Sequence, residues 1–403
     1  MKHIVFVIGH YKNGGVPMRA TNLANEFGRR GYTVTILVTK EIGTEIFFDL
    51  HKNVELVSLT QFVAETCSNP IVMADLKKRT KKLHGYKRMR YVSRFFPKWD
   101  KKLENQIRSI RISDSLRRYL LLHPDVTLIP FGIAYYEETF YAAEGLHCKL
   151  IYAERNAPEL ELPKDIEKAE NLLKILSQAD GAVFQTLDEQ VFYANYLKRN
   201  VAVIHNPIKA NLPEPYCGRR RPVVVNYCRI APQKNLKLLV DAFIKLHKEY
   251  PDYKLEIYGN AVEKSEELLC NELKDYVVSL GFEDAIHILP PAADVHRRVR
   301  DCAMFVSSSD FEGLSNSMIE AMAIGMPCVC TDCLGGGARE VIQHEVNGLL
   351  VPMKDVDALY QGIKRLIDEP DLAKRCSENA ARIRNEMSVT KIADRWLEVI
   401  ECV

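Results

Sequence analysis

The chain has no apolar run approaching ~18 residues, so nothing in it reads as a membrane-spanning helix. It has almost no net charge, +2 over 403 residues, and no global field points to nucleic acid. The G-x-G-x-x-G fingerprint is absent, which counts against a nicotinamide enzyme. No His at zinc spacing accompanies Cys328, Cys330 and Cys333. Cys328 and Cys330 fall on one face of a strand, an ordinary buried arrangement. The 11 cysteines are scattered, which argues against a disulfide framework and for a reducing, cytoplasmic compartment. The opening stretch from Met1 to Gly9 is too short for a signal peptide and reads as a first strand.

What is present is ordinary globular composition, with 47% apolar and 27% charged residues. The length suggests two domains. Strand-like runs at Ile4–Ile8, Thr33–Thr39, Val54–Leu59, Val126–Pro130, Leu150–Ala153 and Ala182–Gln185 alternate with helix-like segments. The pattern restarts after His205-Asn206-Pro207 and a Pro-rich linker over 211–222. Strands are then expected at Val223–Tyr227, Leu255–Tyr258, Ile286–Leu289, Met304–Ser307 and Cys328–Thr331. Such alternation predicts an α/β fold with two doubly wound parallel sheets facing a cleft. The first domain is placed at 1–210 and the second at 211–388. A last helix over 389–403 is expected to lie back on the first.

Three segments carry chemistry. Gly14-Gly15 lies between the first strand and first helix, where backbone can approach an anion closely. Arg229 and Lys234 follow the Val223–Tyr227 strand, and two cations there suit a leaving diphosphate. The stretch from Ser307 to Pro327 reads strand, glycine turn, helix. Its Leu314, Ser315 and Asn316 offer backbone N–H groups, and Glu312 and Glu320 offer carboxylates.

These residues resemble the retaining glycosyltransferases of family 4, which have the two-domain GT-B fold. The likeness is strongest over 223–352. The resemblance implies that Arg229 and Lys234 grip the donor diphosphate, that Glu312 sits by the transferred sugar, and that Glu320 holds the nucleotide ribose. Gly14 and Gly15 match the N-terminal glycine loop. Asn206-Pro207, Gln185-Thr186 and the run Asn347 to Pro352 also match. The donor site is completed by Asn206, Gly259, Leu314, Ser315 and Asn316. The implied donor is a UDP-sugar, with no cofactor and no metal. Three departures stand out. Leu128-Ile129-Pro130-Phe131-Gly132 lacks the His that many members carry there. A usual glycine pair is reduced to Gly259-Asn260. The run Gly335-Gly336-Gly337 is unusually long. Asp355-Val356-Asp357 imitates the metal-binding D-x-D of the other major transferase fold, but opens a helix and reads as a cap.

Residues 77–102 hold twelve Lys or Arg and one acidic residue, Asp100, with Tyr86, Tyr91, Phe95, Phe96 and Trp99 interleaved. This suits contact with anionic lipid on the inner face of the membrane, or capture of a lipid-linked pyrophosphate. Pro97 is expected to break any helix there. Glu154-Arg155-Asn156 resembles a segment of members that extend polyprenyl-diphosphate-linked oligosaccharides, and is placed in the acceptor cleft. The expected activity is therefore hexosyl or N-acetylhexosaminyl transfer from a UDP-sugar to a glycan acceptor in bacterial polysaccharide synthesis. A nucleotide-sugar epimerase and a non-catalytic nucleotide-binding subunit are the rival readings.

Overall fold

The computed structural model describes all residues except 1, 13, 43–47, 67, 76–96, 156, 198 and 262–263. For 97–104, 134, 161 and 260 it describes the backbone alone. The first domain is a seven-stranded parallel sheet in the order β3-β2-β1-β4-β5-β6-β7. Its strands are β1 His3–Ile8, β2 Thr33–Val38, β3 Val54–Ser58, β4 Val126–Pro130, β5 Cys148–Ala153, β6 Gly181–Phe184 and β7 Val201–Val203. The second is a six-stranded parallel sheet ordered β10-β9-β8-β11-β12-β13. Its strands are β8 Arg221–Arg229, β9 Lys254–Asn260, β10 Ile286–Leu289, β11 Cys302–Ser307, β12 Cys328–Asp332 and β13 Leu349–Pro352.

Parallel sheets must bury both faces, because their crossover helices return on either side. Each sheet accordingly has a core on both faces. In the first, Ile4, Phe6 and Ile8 face one core while Val5 and Val7 face the other. Val224 and Val225 divide the two cores of the second sheet in the same way. The strand order reverses between β1 and β4 and between β8 and β11, so each sheet opens a crevice there at its carboxyl edge. Gly14-Gly15 lies beyond the end of β1, Arg229 ends β8, and Glu312 follows β11.

Two strands fall outside the expected set, β7 and β13. Both are edge strands, short and only partly buried, and so carry little hydrophobic signal. β8 starts at Arg221, inside the segment read as linker. Pro97 is the first described residue of the helix Pro97–Leu122, and the stretch it was expected to interrupt, Tyr91 to Phe96, lies outside the described residues. The rest of the basic segment, through residue 96, lies outside the described residues. Among the described residues no helix is long and apolar enough to cross a membrane.

The last helix, Val389–Cys402, packs on the first domain. Trp396, Ile392 and Ile400 join the core that holds Phe6, Phe27 and Phe131. Lys2 Nζ donates to Ile400 O at 3.0 Å, and Tyr32 OH donates to Glu401 at 2.9 Å. The chain thus crosses from domain to domain twice. Asp355 caps the next helix by accepting from Ala358 N at 2.9 Å.

Candidate functional site at the domain cleft

The site is assembled from loops that leave the two switch points. β8 ends in Arg229, and the chain then makes a single turn, Pro232–Lys234. That turn is stitched to the segment after β11. Asp310 N donates to Gln233 O at 2.9 Å, Ser308 Oγ donates to Lys234 O at 2.9 Å, and Asn235 Nδ2 donates to Asp310 at 2.9 Å. The stitching brings Lys234 against Glu312, and the two form an ion pair. Ser309 Oγ also donates to Glu312, at 3.2 Å. Burial is the largest influence on Lys234 and lowers its pKa, but the Glu312 charge, the Cys228 side chain and the hydrogen bond to Glu312 together outweigh it and hold the ammonium above its usual value. Arg229 stays half exposed and meets Glu266 at 3.4 Å. One cation is therefore fixed in the wall while the other is free to reach solvent or ligand.

Glu320, one turn into the helix Asn316–Ala323, is buried and accepts from or shares a proton with His296 Nε2 at 2.8 Å. His296 packs edge-on against Tyr227 at 5.4 Å. The sequence gives no sign of His296, which lies 24 positions from its partner. Ser315 stands at the N-cap of that helix without a side-chain capping bond, which leaves the first-turn N–H groups for another acceptor.

The helix Gly15–Arg29 also starts without a side-chain cap, at Gly14. Its first residue faces the other helix: a Cβ on Gly15 would stand 3.0 Å from Asn316 Nδ2. Two uncapped helix N-termini from different domains thus converge, with Arg229 and Lys234 in the second domain's loop. Such a place favours an anion.

The first domain grips the glycine turn directly. Gln185 Oε1 accepts from Leu314 N at 3.2 Å, Asn206 Nδ2 donates to Leu314 O at 3.4 Å, and Gln185 and Asn206 bond to each other at 2.6 Å. Both backbone groups of Leu314 are therefore spent within the protein. Asn206 is an interdomain clamp rather than an open ligand contact. Thr186 Oγ1 donates to Gly335 O at 2.9 Å. A Cβ on Gly337 would fall 1.6 Å from Gly313 O, and one on Gly335 2.2 Å from Glu312 O. The long glycine run lets backbone lie on the Glu312–Gly313 turn. Gly259, at the end of β9, is crowded by Ile230 and Cys228 O, so it serves close packing of that loop.

Glu154 lies inside the first domain, 1% exposed. It accepts from Tyr152 OH at 2.5 Å, Tyr193 OH at 2.9 Å and Arg155 N at 2.7 Å. Burial, and then the Glu154 charge, push Glu189 far above the usual carboxylate range. Arg155 lies over Phe131 at 4.1 Å, and its Nε and Nη2 are buried without hydrogen-bond partners among the described residues. Asn156 lies outside the described residues.

Glu340 latches the domains a second time. It accepts from Leu187 N at 2.9 Å and meets His205 Nε2 at 3.0 Å. Burial opposes its charge, but those two groups prevail and its pKa is lowered. A lowered carboxylate pKa stabilises the fold above the unfolded value, and that share is lost as pH falls through the folded one. Glu340→Gln is expected to flatten the acid side of the melting temperature profile below about pH 5 and leave activity near neutrality within about twofold. Thermal melts across pH check this.

With this geometry in place, comparison with known proteins is informative. Residues 218–383 match the family model for Glycosyl transferases group 1. The N-acetylgalactosamine-N,N'-diacetylbacillosaminyl-diphospho-undecaprenol 4-alpha-N-acetylgalactosaminyltransferase of Campylobacter jejuni is 32% identical over 170 residues, covering 42% of this chain and 44% of that protein. The chain spans about half the length of the curated relatives it matches. Among solved structures, TarM of S. aureus superposes with a TM-score of 0.76 at 13% identity, over 99% of this chain and 98% of that one. Anabaena HepE, solved in complex with UDP, gives 0.72 at 17% identity over 100% of both chains.

The fold is GT-B: two Rossmann-like parallel-sheet domains facing a cleft. The match to the glycosyl transferases group 1 model falls within its second domain.

Proposed function

We propose that the protein is a retaining glycosyltransferase that moves a hexose or N-acetylhexosamine from a UDP-sugar to a lipid-linked glycan in bacterial polysaccharide synthesis. The observation that carries this reading is the Lys234–Glu312 pair with the Arg229 charge acting on it, while Glu312 and Glu320 both act across the cleft on Arg19 of the uncapped helix that begins at Gly15. Cations fixed where a diphosphate departs stabilise charge as it develops, without reorganising. Arg229 is half exposed and takes phosphate oxygens; Lys234 shares its charge between Glu312 and the leaving group. Glu312 accepts from hydroxyls of the transferred sugar. Glu320, oriented by His296, accepts from the ribose. The acceptor hydroxyl approaches from the first domain on the face the phosphate leaves, which retains the anomeric configuration.

The acceptor assignment is supported by the Campylobacter jejuni relative, whose name specifies a diphospho-undecaprenol acceptor. The basic, aromatic segment 77–102 is assigned to the anionic inner face of the membrane. No cofactor is assigned, and the two cations take the role of a metal. The test is nucleotide release from a panel of UDP- and GDP-sugars, with liposomes carrying polyprenyl-diphosphate oligosaccharide and with EDTA present. Acceptor-dependent UDP release is the expected result. Release that stops with EDTA, or that occurs only from GDP-sugars, contradicts the assignment.

A further inference from the structure

Arg19 is a buried cation that the reading above leaves without work. It lies on the helix Gly15–Arg29, is 8% exposed, and makes no hydrogen bond or ion pair among the described residues. Its Nε is fully buried and has no hydrogen-bond partner among the described residues. A buried guanidinium with unspent donors is costly unless an anion meets it.

Its position says where that anion would come from. Arg19 stands four residues after Gly15, on the same helix face and one turn deeper. That face is the one that meets Asn316. Asn316 Oδ1 is likewise buried without a hydrogen-bond partner among the described residues. The charged groups that act on Arg19 are Arg155 from its own domain, and Glu320 and Glu312 from across the cleft. Those two carboxylates do not consume it: Glu312 is paired with Lys234, and Glu320 with His296. Burial, reinforced by the Arg155 charge, holds Arg19 at about 9, below the ordinary arginine value. An arriving anion relieves both causes.

We propose that Arg19 is a donor-binding residue supplied by the first domain, its guanidinium taking the β-phosphate of a nucleoside diphosphate bound beside the Gly15–Asn316 contact. The planar fork of five N–H groups matches a phosphate better than a sugar hydroxyl. The carboxylates nearby are acceptors only and suit hydroxyls instead. The diphosphate is then gripped from both domains, so its binding favours the closed cleft. This inference rests on the donor reading given above.

The experiment is calorimetric binding of UDP and of UMP to the wild type, Arg19→Met, Arg19→Gln and Arg19→Lys, each first checked by thermal melting. UMP lacks the phosphate in question. The wild type is expected to bind UDP more tightly than UMP. Arg19→Met is expected to lose about 10- to 100-fold in UDP affinity, with UMP affinity within about twofold. Arg19→Gln carries the same comparison should the Met variant fail to fold, and Arg19→Lys recovers part of the loss. Equal losses for both nucleotides, or no loss of UDP affinity, overturn the role of Arg19 alone. A wild type that binds UDP no better than UMP overturns it as well. A wild type that binds neither nucleotide overturns the donor reading beneath it.

Discussion

Arg229→Ala is expected to lower turnover by about 10²–10³-fold, the usual effect of removing one donor aimed at a developing charge. Folding should lose less than in the Lys234 variant. The Arg229 side chain is half exposed, and its buried partner Glu266, at 3.4 Å, keeps a further interaction of its own when the guanidinium is removed. Steady-state kinetics beside a thermal melt separates the two effects. Lys234→Ala behaves differently, and the difference is diagnostic. Lys234 is inside the wall and paired with Glu312. Its removal leaves a buried carboxylate uncompensated, which costs about 3–5 kcal/mol in such pairs. That variant should lose both rate and stability. Equal stability losses in the two variants, or near-normal turnover in Arg229→Ala, contradict the assigned roles.

Gly337→Ala is the second large effect. The added methyl would fall 1.6 Å from Gly313 O, against backbone that cannot rotate away. Something must move, and the neighbours are the turn that carries Glu312 and the start of the helix that carries Glu320. Overpacking of this kind costs ~1–3 kcal/mol or more. A shift of about 1 Å in the carboxylates costs roughly 10²-fold in rate. Kinetics on the folded fraction, with unfolding followed in urea, checks both. Leu334→Ala serves as the control: it sits in the same loop, is 45% exposed, and should change neither quantity by more than a small factor.

The architecture was largely legible because both sheets are parallel and doubly covered. Buried strands such as Val223–Tyr227 then read as continuous apolar runs. Edge strands break that rule. β7 has three half-buried residues, and β13 ends in Pro352 after a turn, so neither announces itself. The long glycine run looked like a departure that blurred the donor site. It is what allows the 333–337 loop to lie on the Glu312–Gly313 backbone, a close approach that only coordinates reveal.

The site was legible where function sits on one loop. Arg229 and Lys234 are five positions apart, and Glu312 and Glu320 eight. It was not legible where partners are remote in sequence. His296 supports Glu320, Gln185 and Asn206 clamp Leu314, and Arg19 looks across at Glu312. Resemblance alone places Glu154 in the acceptor cleft; the residue is 1% exposed and its carboxylate is held inside the domain by two tyrosine hydroxyls, which no spacing in the sequence announces.

The central claim is sugar transfer, not nucleotide binding, and one measurement addresses it directly. A radiolabelled UDP-sugar is incubated with enzyme and polyprenyl-diphosphate oligosaccharide, and the lipid fraction is weighed by mass spectrometry. The account predicts that label enters the lipid fraction, that its mass rises by one or more sugar units, and that Arg229→Ala suppresses the change. Label recovered as an epimerised UDP-sugar or as free sugar, with the lipid unaltered in mass, contradicts it.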